Sequence, residues 1–135
     1  MTEAIWHDDR DAVVALIRSG VDPNAMDEPH WPPLFQALEH QRAEIARRLI
    51  AAGADVNRDV GQGWTPLVHA IDIESDAASQ TGVPPEAVST ELVELLLAFG
   101  AEPTARAFEL AATYHNHEAW SLLEAAQAGR TRRRT

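Results

Sequence analysis

The sequence predicts an all-α solenoid of about four stacked helix-turn-helix repeats, with an insertion in the third repeat. Three observations lead there. The first is that the chain aligns with itself: Gly20-Val21-Asp22-Pro23-Asn24 returns as Gly53-Ala54-Asp55-Val56-Asn57, 33 residues later. The same offset carries Trp31 onto Trp64, Pro33-Leu34 onto Pro66-Leu67, Ala37 onto Ala70 and Leu16-Ile17 onto Leu49-Ile50. The second is helical apolar spacing in Val13, Leu16 and Ile17, in Ile45, Leu49 and Ile50, and in Leu92, Val93, Leu96 and Leu97. The third is that Gly20, Gly53 and Gly100 each follow such a run, where a left-handed C-cap suits glycine. A period near 33 marks helix pairs too small to bury their own apolar faces, which therefore stack on one another.

Element by element, the first repeat (residues 1–26) is read as a short helix over Thr2 to His7 and a second over Asp9 to Ser19. It lacks the turn before its first helix, as a terminal cap does. The second repeat (27–59) has helices near Pro33 to His40 and Ala43 to Ala52, with Pro29, Pro32 and Pro33 stiffening the turn ahead of them. In the third (60–104), Thr65 is a good N-cap and Pro66 sits where a missing N–H costs nothing. Gly53 to Gly100 spans 47 residues, so 14 are extra, and they fall between Ile71 and Thr90. That acidic, polar stretch is expected to lengthen the first helix, turn at Gly82 and restart at about Pro85. The fourth repeat (105–126) has lost about six residues of turn and closes with helices over Ala105 to Tyr114 and His117 to Ala126. One domain over 1–126 is expected, followed by a disordered Arg-rich tail at 127–135.

The run Gly63-Trp64-Thr65-Pro66-Leu67, followed by Ala70, and the turn Gly53-Ala54-Asp55-Val56-Asn57 resemble the ankyrin repeat family. The resemblance implies a protein-binding stack whose turns and first helices line a concave groove. Carried onto this sequence, the groove slots hold Trp6, His7, Met26, Glu28, Pro29, Trp31, Glu39, His40, Asp59, Gln62, Trp64, Asp72, Thr113 and Tyr114. Exposed aromatics suit an interface, because buried Trp and Tyr dominate binding hot spots. Trp120 aligns with the second-helix core instead.

Composition narrows the partners. The formal net charge is −10, and four of the eleven basic residues are Arg130, Arg132, Arg133 and Arg134, so the rest of the chain carries −14. Such a body repels nucleic acid and anionic membrane and attracts basic surfaces. There is no cysteine, so no disulfide or thiolate metal site forms. The start has neither a basic n-region nor an apolar h-region, and no apolar run nears spanning length, so a cytoplasmic protein is expected. The absence of lysine beside abundant arginine and alanine suits a GC-rich bacterial genome.

Catalysis finds no support. Asp72-Ile73-Glu74-Ser75-Asp76 begins like a calcium loop, but Ala77 stands where glycine is needed and Val83 where glutamate is. His115-Asn116-His117 lies at a helix-helix turn without further ligands, and His7, His40 and His69 are spread over separate repeats. His69 falls one position after the family's usual histidine, whose slot Val68 fills, so that residue's role does not transfer. No nucleophile triad or phosphate loop has a local signature. The expectation is a non-enzymatic module without metal or cofactor, monomeric when unbound, which binds a basic protein. An immunity or inhibitor protein of a bacterial toxin is the concrete form, and a scaffold or regulatory subunit bridging two proteins is the alternative.

Overall fold

The computed structural model describes residues 1–25, 31–82 and 89–134, with the side chains at 79, 81 and 131–134 set apart. Among them are eight helices: α1 (Thr2–Trp6), α2 (Arg10–Arg18), α3 (Pro33–Glu39), α4 (Ala43–Ala51), α5 (Pro66–Thr81), α6 (Glu91–Ala98), α7 (Ala105–Thr113) and α8 (His117–Arg134). They stand in two rows. The odd-numbered helices pack in the order α1, α3, α5, α7, the even-numbered ones in the order α2, α4, α6, α8, and each odd helix also packs on its even partner. Between the rows runs one core, built from Ile5, Val13, Leu34, Leu38, Ile45, Leu49, Leu67, Val68, Ile71, Leu92, Val93, Leu96 and Leu123. The stack predicted from the 33-residue period is therefore the fold observed.

Backbone geometry repeats with the sequence. Asp8, Gln41 and His115 take left-handed φ values of 55° at the turn from odd to even helix. Each turn is closed by the next residue's amide: Asp9 to Ala4, Arg42 to Ala37 and Asn116 to Ala111, all at 2.8 Å. The third repeat has Glu74 in that register, and α5 runs on to Thr81, ending on Gly82 at φ 68°. The helix thus lengthens and turns where expected. The restart expected near Pro85 lies outside the described residues, and α6 itself begins at Glu91.

Neighbouring repeats are tied through their turns. The Asn24 side chain donates to the Gly53 carbonyl at 3.0 Å and accepts from the Asp55 amide at 2.8 Å. Asn57 repeats the clamp on the Gly100 carbonyl at 3.3 Å and the Glu102 amide at 2.7 Å. The tie survives the insertion because the extra residues lie between helices, away from the turn that Asn57 reaches. In the next copy Thr104 occupies the asparagine slot and caps α7, accepting from the Ala107 amide at 3.2 Å. The six missing turn residues are explained: the chain enters the helix at the point where earlier copies make a turn.

The insertion is anchored by a buried carboxylate. Glu74, 5% exposed, accepts from the Val93 amide through Oε1 and from the Leu92 amide and Ser89 hydroxyl through Oε2, at 3.0–3.2 Å. These amides lie in the first turn of α6, whose own N-cap residue, Thr90, makes no capping bond. A side chain from α5 therefore satisfies the start of α6. Burial pushes the Glu74 carboxyl up to about 7, against the pull of its three hydrogen bonds.

Two expectations are corrected. Trp120 is not core: it is 37% exposed, edge-on to Phe108 at 4.9 Å, with its indole N–H on Glu124. Successive helical residues point about 100° apart, and the buried stripe of α8 is Ala119 and Leu123. The tail expected to be disordered from Gln127 instead continues α8 to Arg134. Ala125, Ala126, Gln127 and Ala128 favour helix, and no proline interrupts the run. Leu16 and Ile17 are half-buried, since the first helix pair has a neighbour on one side of the stack.

Two outcomes follow from these anchors. Asn57→Ala, which leaves the Glu102 amide without its acceptor, is expected to lower unfolding free energy by about 1–2 kcal/mol in urea denaturation. Glu74→Ala is expected to cost about 2 kcal/mol by uncapping α6. Because native Glu74 holds its proton up to about 7 against 4.5 for the free group, its contribution is complete below pH 4.5 and is lost as pH rises towards 7. Urea titrations of Glu74→Gln across that range should lack this fall.

Candidate partner-binding groove

Seven of the predicted groove residues, Trp6, Trp31, Glu39, His40, Trp64, Asp72 and Tyr114, make contacts that bridge neighbouring repeats along the row of odd-numbered helices. At its centre is a side chain that sequence reasoning set aside. His69, on the second turn of α5, is 4% exposed. Its ring lies 4.9 Å from Trp31, 5.6 Å from Phe35 and 6.1 Å from Trp64. The Trp64 indole Nε1 donates to His69 Nδ1 at 3.1 Å. An indole nitrogen is a donor only, so Nδ1 is the acceptor and the proton of the neutral imidazole sits on Nε2. Glu39 Oε2 approaches Nε2 to 2.8 Å, a short but bent contact without in-line hydrogen-bond geometry. Burial holds the His69 pKa below its usual 6.5, outweighing the upward pull of Glu39 and Asp72.

Around that imidazole the structure gathers Trp31, Glu39 and Trp64. Trp31 remains 38% exposed and tilts on Phe35 at 5.4 Å. Trp64 is half-buried, and the Arg106 guanidinium lies over its ring, 5.9 Å from the centroid. Two further pairs bridge adjacent odd helices. Trp6, 59% exposed, stands edge-on to His40 at 4.6 Å, and Arg42 donates to the Trp6 carbonyl at 2.9 Å. The Tyr114 hydroxyl donates to Asp72 at 2.7 Å, which raises its pKa to about 12.

Other predicted residues stand apart from these clusters. His7 and Gln62 are exposed, Asp59 accepts from the Gly61 amide at 2.7 Å, and the Thr113 hydroxyl donates to the Glu109 carbonyl at 2.9 Å. Met26, Glu28 and Pro29 lie outside the described residues. The role of His69 had a sequence signal: the 33-residue offset places Gln36 in the same slot. Gln36 is also buried, and its amide donates to the Trp31 carbonyl at 3.0 Å. A polar residue repeated inside two apolar helix starts marks a position that supports the preceding turn.

Among the described residues no group of three or more His, Cys, Asp or Glu is arranged to hold a metal ion, and no helix is long and apolar enough to cross a membrane. The chemistry on display is aromatic contact, carboxylate charge and buried hydrogen bonding.

His69→Phe is expected to keep the ring packing but leave the Trp64 indole without an acceptor, costing about 1 kcal/mol. His69→Ala also opens a cavity under three aromatic rings and should cost about 3 kcal/mol. Since the native pKa lies below the unfolded 6.5, the unfolded chain takes up the proton first. The His69 contribution is therefore complete above pH 6.5 and declines as pH falls towards the native pKa. Protonation of Nδ1 removes the acceptor, so the Trp64 indole resonance in NMR spectra should shift with a midpoint below 6.5.

A family model described as ankyrin repeats, in three copies, matches residues 1–81. Comparison with curated proteins gives no match. The match covers more than half of the chain and takes in α1 to α5 with the turn that Asn24 clamps. The chain belongs to the ankyrin repeat family, whose stacks act as protein–protein interaction modules.

Proposed function

We propose that this protein is a non-enzymatic binder that captures a basic protein surface in an acidic, aromatic groove, and that its concrete role is that of an immunity or inhibitor protein for a bacterial toxin. The observation that carries the reading is the set of exposed aromatic and acidic side chains along the row of odd-numbered helices: Trp6 at 59% and Trp31 at 38% exposure, with the Glu39 side chain, 53% exposed, in the same repeat as Trp31. Exposed tryptophans supply apolar anchors. A body of charge −14 outside the four C-terminal arginines steers a cationic partner and pairs with it on arrival. Inhibition follows by occlusion when the captured surface holds the partner's own site. The reading takes residues 1–126 as one binding unit and the bacterial cytoplasm as its setting.

A scaffold is the second reading. It draws on α5, which at 16 residues is about twice as long as its row neighbour α3, at 7, and ends on an exposed Gly82. That projection offers a second surface beside the groove.

The test is a pull-down with the wild-type protein and a Trp6→Ala, Trp31→Ala variant, followed by association kinetics on the retained protein. A basic partner held by the wild type and lost by the variant is expected, with an on-rate falling about tenfold or more between 50 and 500 mM salt. A salt-independent on-rate would remove the electrostatic half of the proposal. Equal retention by both baits would remove the groove. Loss of one of two partners on removing residues 77–82 would favour the scaffold.

A further inference from the structure

We infer that the groove contains a specific subsite for one guanidinium group, formed by the ring of Trp31 and the carboxylate of Glu39, and that Trp64, one repeat away, is not a partner anchor. The inference rests on the binding function proposed above and names the chemistry of its central contact.

The chain supplies its own template. In the third repeat, Trp64 carries the Arg106 guanidinium over its ring, and the same guanidinium reaches Glu109 at 3.5 Å. The carboxylate of that repeat, Asp72, takes the Tyr114 hydroxyl from the following odd helix. Both the ring and the acid are thus satisfied internally. The second repeat holds the equivalent pair, Trp31 and Glu39, at the 33-residue offset. Here no cation lies over the ring among the described residues. Ile73 stands at the same offset from His40 and has no group to offer a carboxylate, whereas Tyr114 offers its hydroxyl to Asp72.

Glu39 instead rests Oε2 on His69, while Oε1 has no polar partner among the described residues and the side chain is 53% exposed. Trp31 leans on the same imidazole at 4.9 Å. One guanidinium can therefore lie on the Trp31 ring and reach Glu39. This is the pairing of cation, ring and carboxylate that Arg106 makes with Trp64 and Glu109. Arginine suits the arrangement better than lysine, because its planar group stacks on an aromatic face and donates in-plane to a carboxylate at the same time. His69 lies against both parts of the subsite: its ring stands between the Trp31 indole and one Glu39 carboxylate oxygen, 2.8 Å from the latter.

The experiment titrates the full chain with acetyl-Gly-Arg-Gly-amide, and with the neutral isostere acetyl-Gly-citrulline-Gly-amide, while the tryptophan indole resonances are followed by NMR. Expected are a saturable shift of the Trp31 indole with the arginine peptide, little shift with the citrulline peptide, and a Trp64 indole that stays in place. Glu39→Gln, which keeps side-chain size at a half-exposed position, should weaken the arginine peptide at least threefold. Equal shifts with both peptides, or no loss of affinity in Glu39→Gln, would overturn the subsite. A shift centred on Trp6 or Trp64 would overturn its placement while leaving the basic-partner reading standing. The converse result, an Arg-specific Trp31 shift with no basic partner in the pull-down, would establish the subsite and remove the proposed function.

Discussion

Each helix pair in this protein has an apolar side that it cannot cover, and the spacing at which the next pair covers it is set by two asparagine side chains. Asn24 and Asn57 each hold both a carbonyl and an amide of the following turn, so they fix separation and register together. An amide side chain presents a donor and an acceptor in one plane, which lets it replace two backbone partners at once. With the turns held, the small alanines at 37, 70 and 111 let the odd-numbered helices come together, and the core between the rows closes.

The third repeat shows how a stack absorbs an irregularity without losing its register. Fourteen extra residues enter at the inner turn, on the opposite side of the repeat from the asparagine ties, so neither tie moves. What the insertion removes is the local cap of the next helix. In the other repeats the residue after the left-handed turn stands just ahead of the even helix, and Asp9 and Asn116, though not Arg42, cap from that position by accepting from Ala12 and Ala119. The third repeat supplies Glu74 from the helix alongside. A carboxylate with three donors in a buried site is costly to desolvate, and its raised pKa records that cost.

The groove depends on a similar economy. His69 touches Trp31, Phe35 and the Glu39 carboxylate and accepts a hydrogen bond from Trp64, so one buried ring gathers side chains from three segments of the chain. The same residue prevents the tryptophans from being equivalent. Trp64 is drawn inward by its bond to Nδ1 and overlaid by Arg106, while Trp31 and Trp6 keep exposed faces. The exposed indole faces among these three tryptophans consequently lie on the first two repeats.

Legible in the chain alone are the stack of helix pairs, the helix boundaries to within one or two residues for α1 to α4 and α7, and the extension of α5 to a turn at Gly82. These features depend on local signals, such as apolar spacing, caps and glycines, that recur every 33 residues and reinforce each other by repetition. Packing in three dimensions set what the period does not carry. It turned Trp120 outward because a single-residue step on a helix is a rotation of about 100°. It continued α8 into the arginine-rich segment, and it brought Glu74 to a helix start some 18 residues away. It also made His69, rather than any tryptophan, the centre of the candidate site. That role arises from the approach of α3 to α5 and of the Trp64 turn to both, and a linear pattern holds no record of which side chains meet across such a gap.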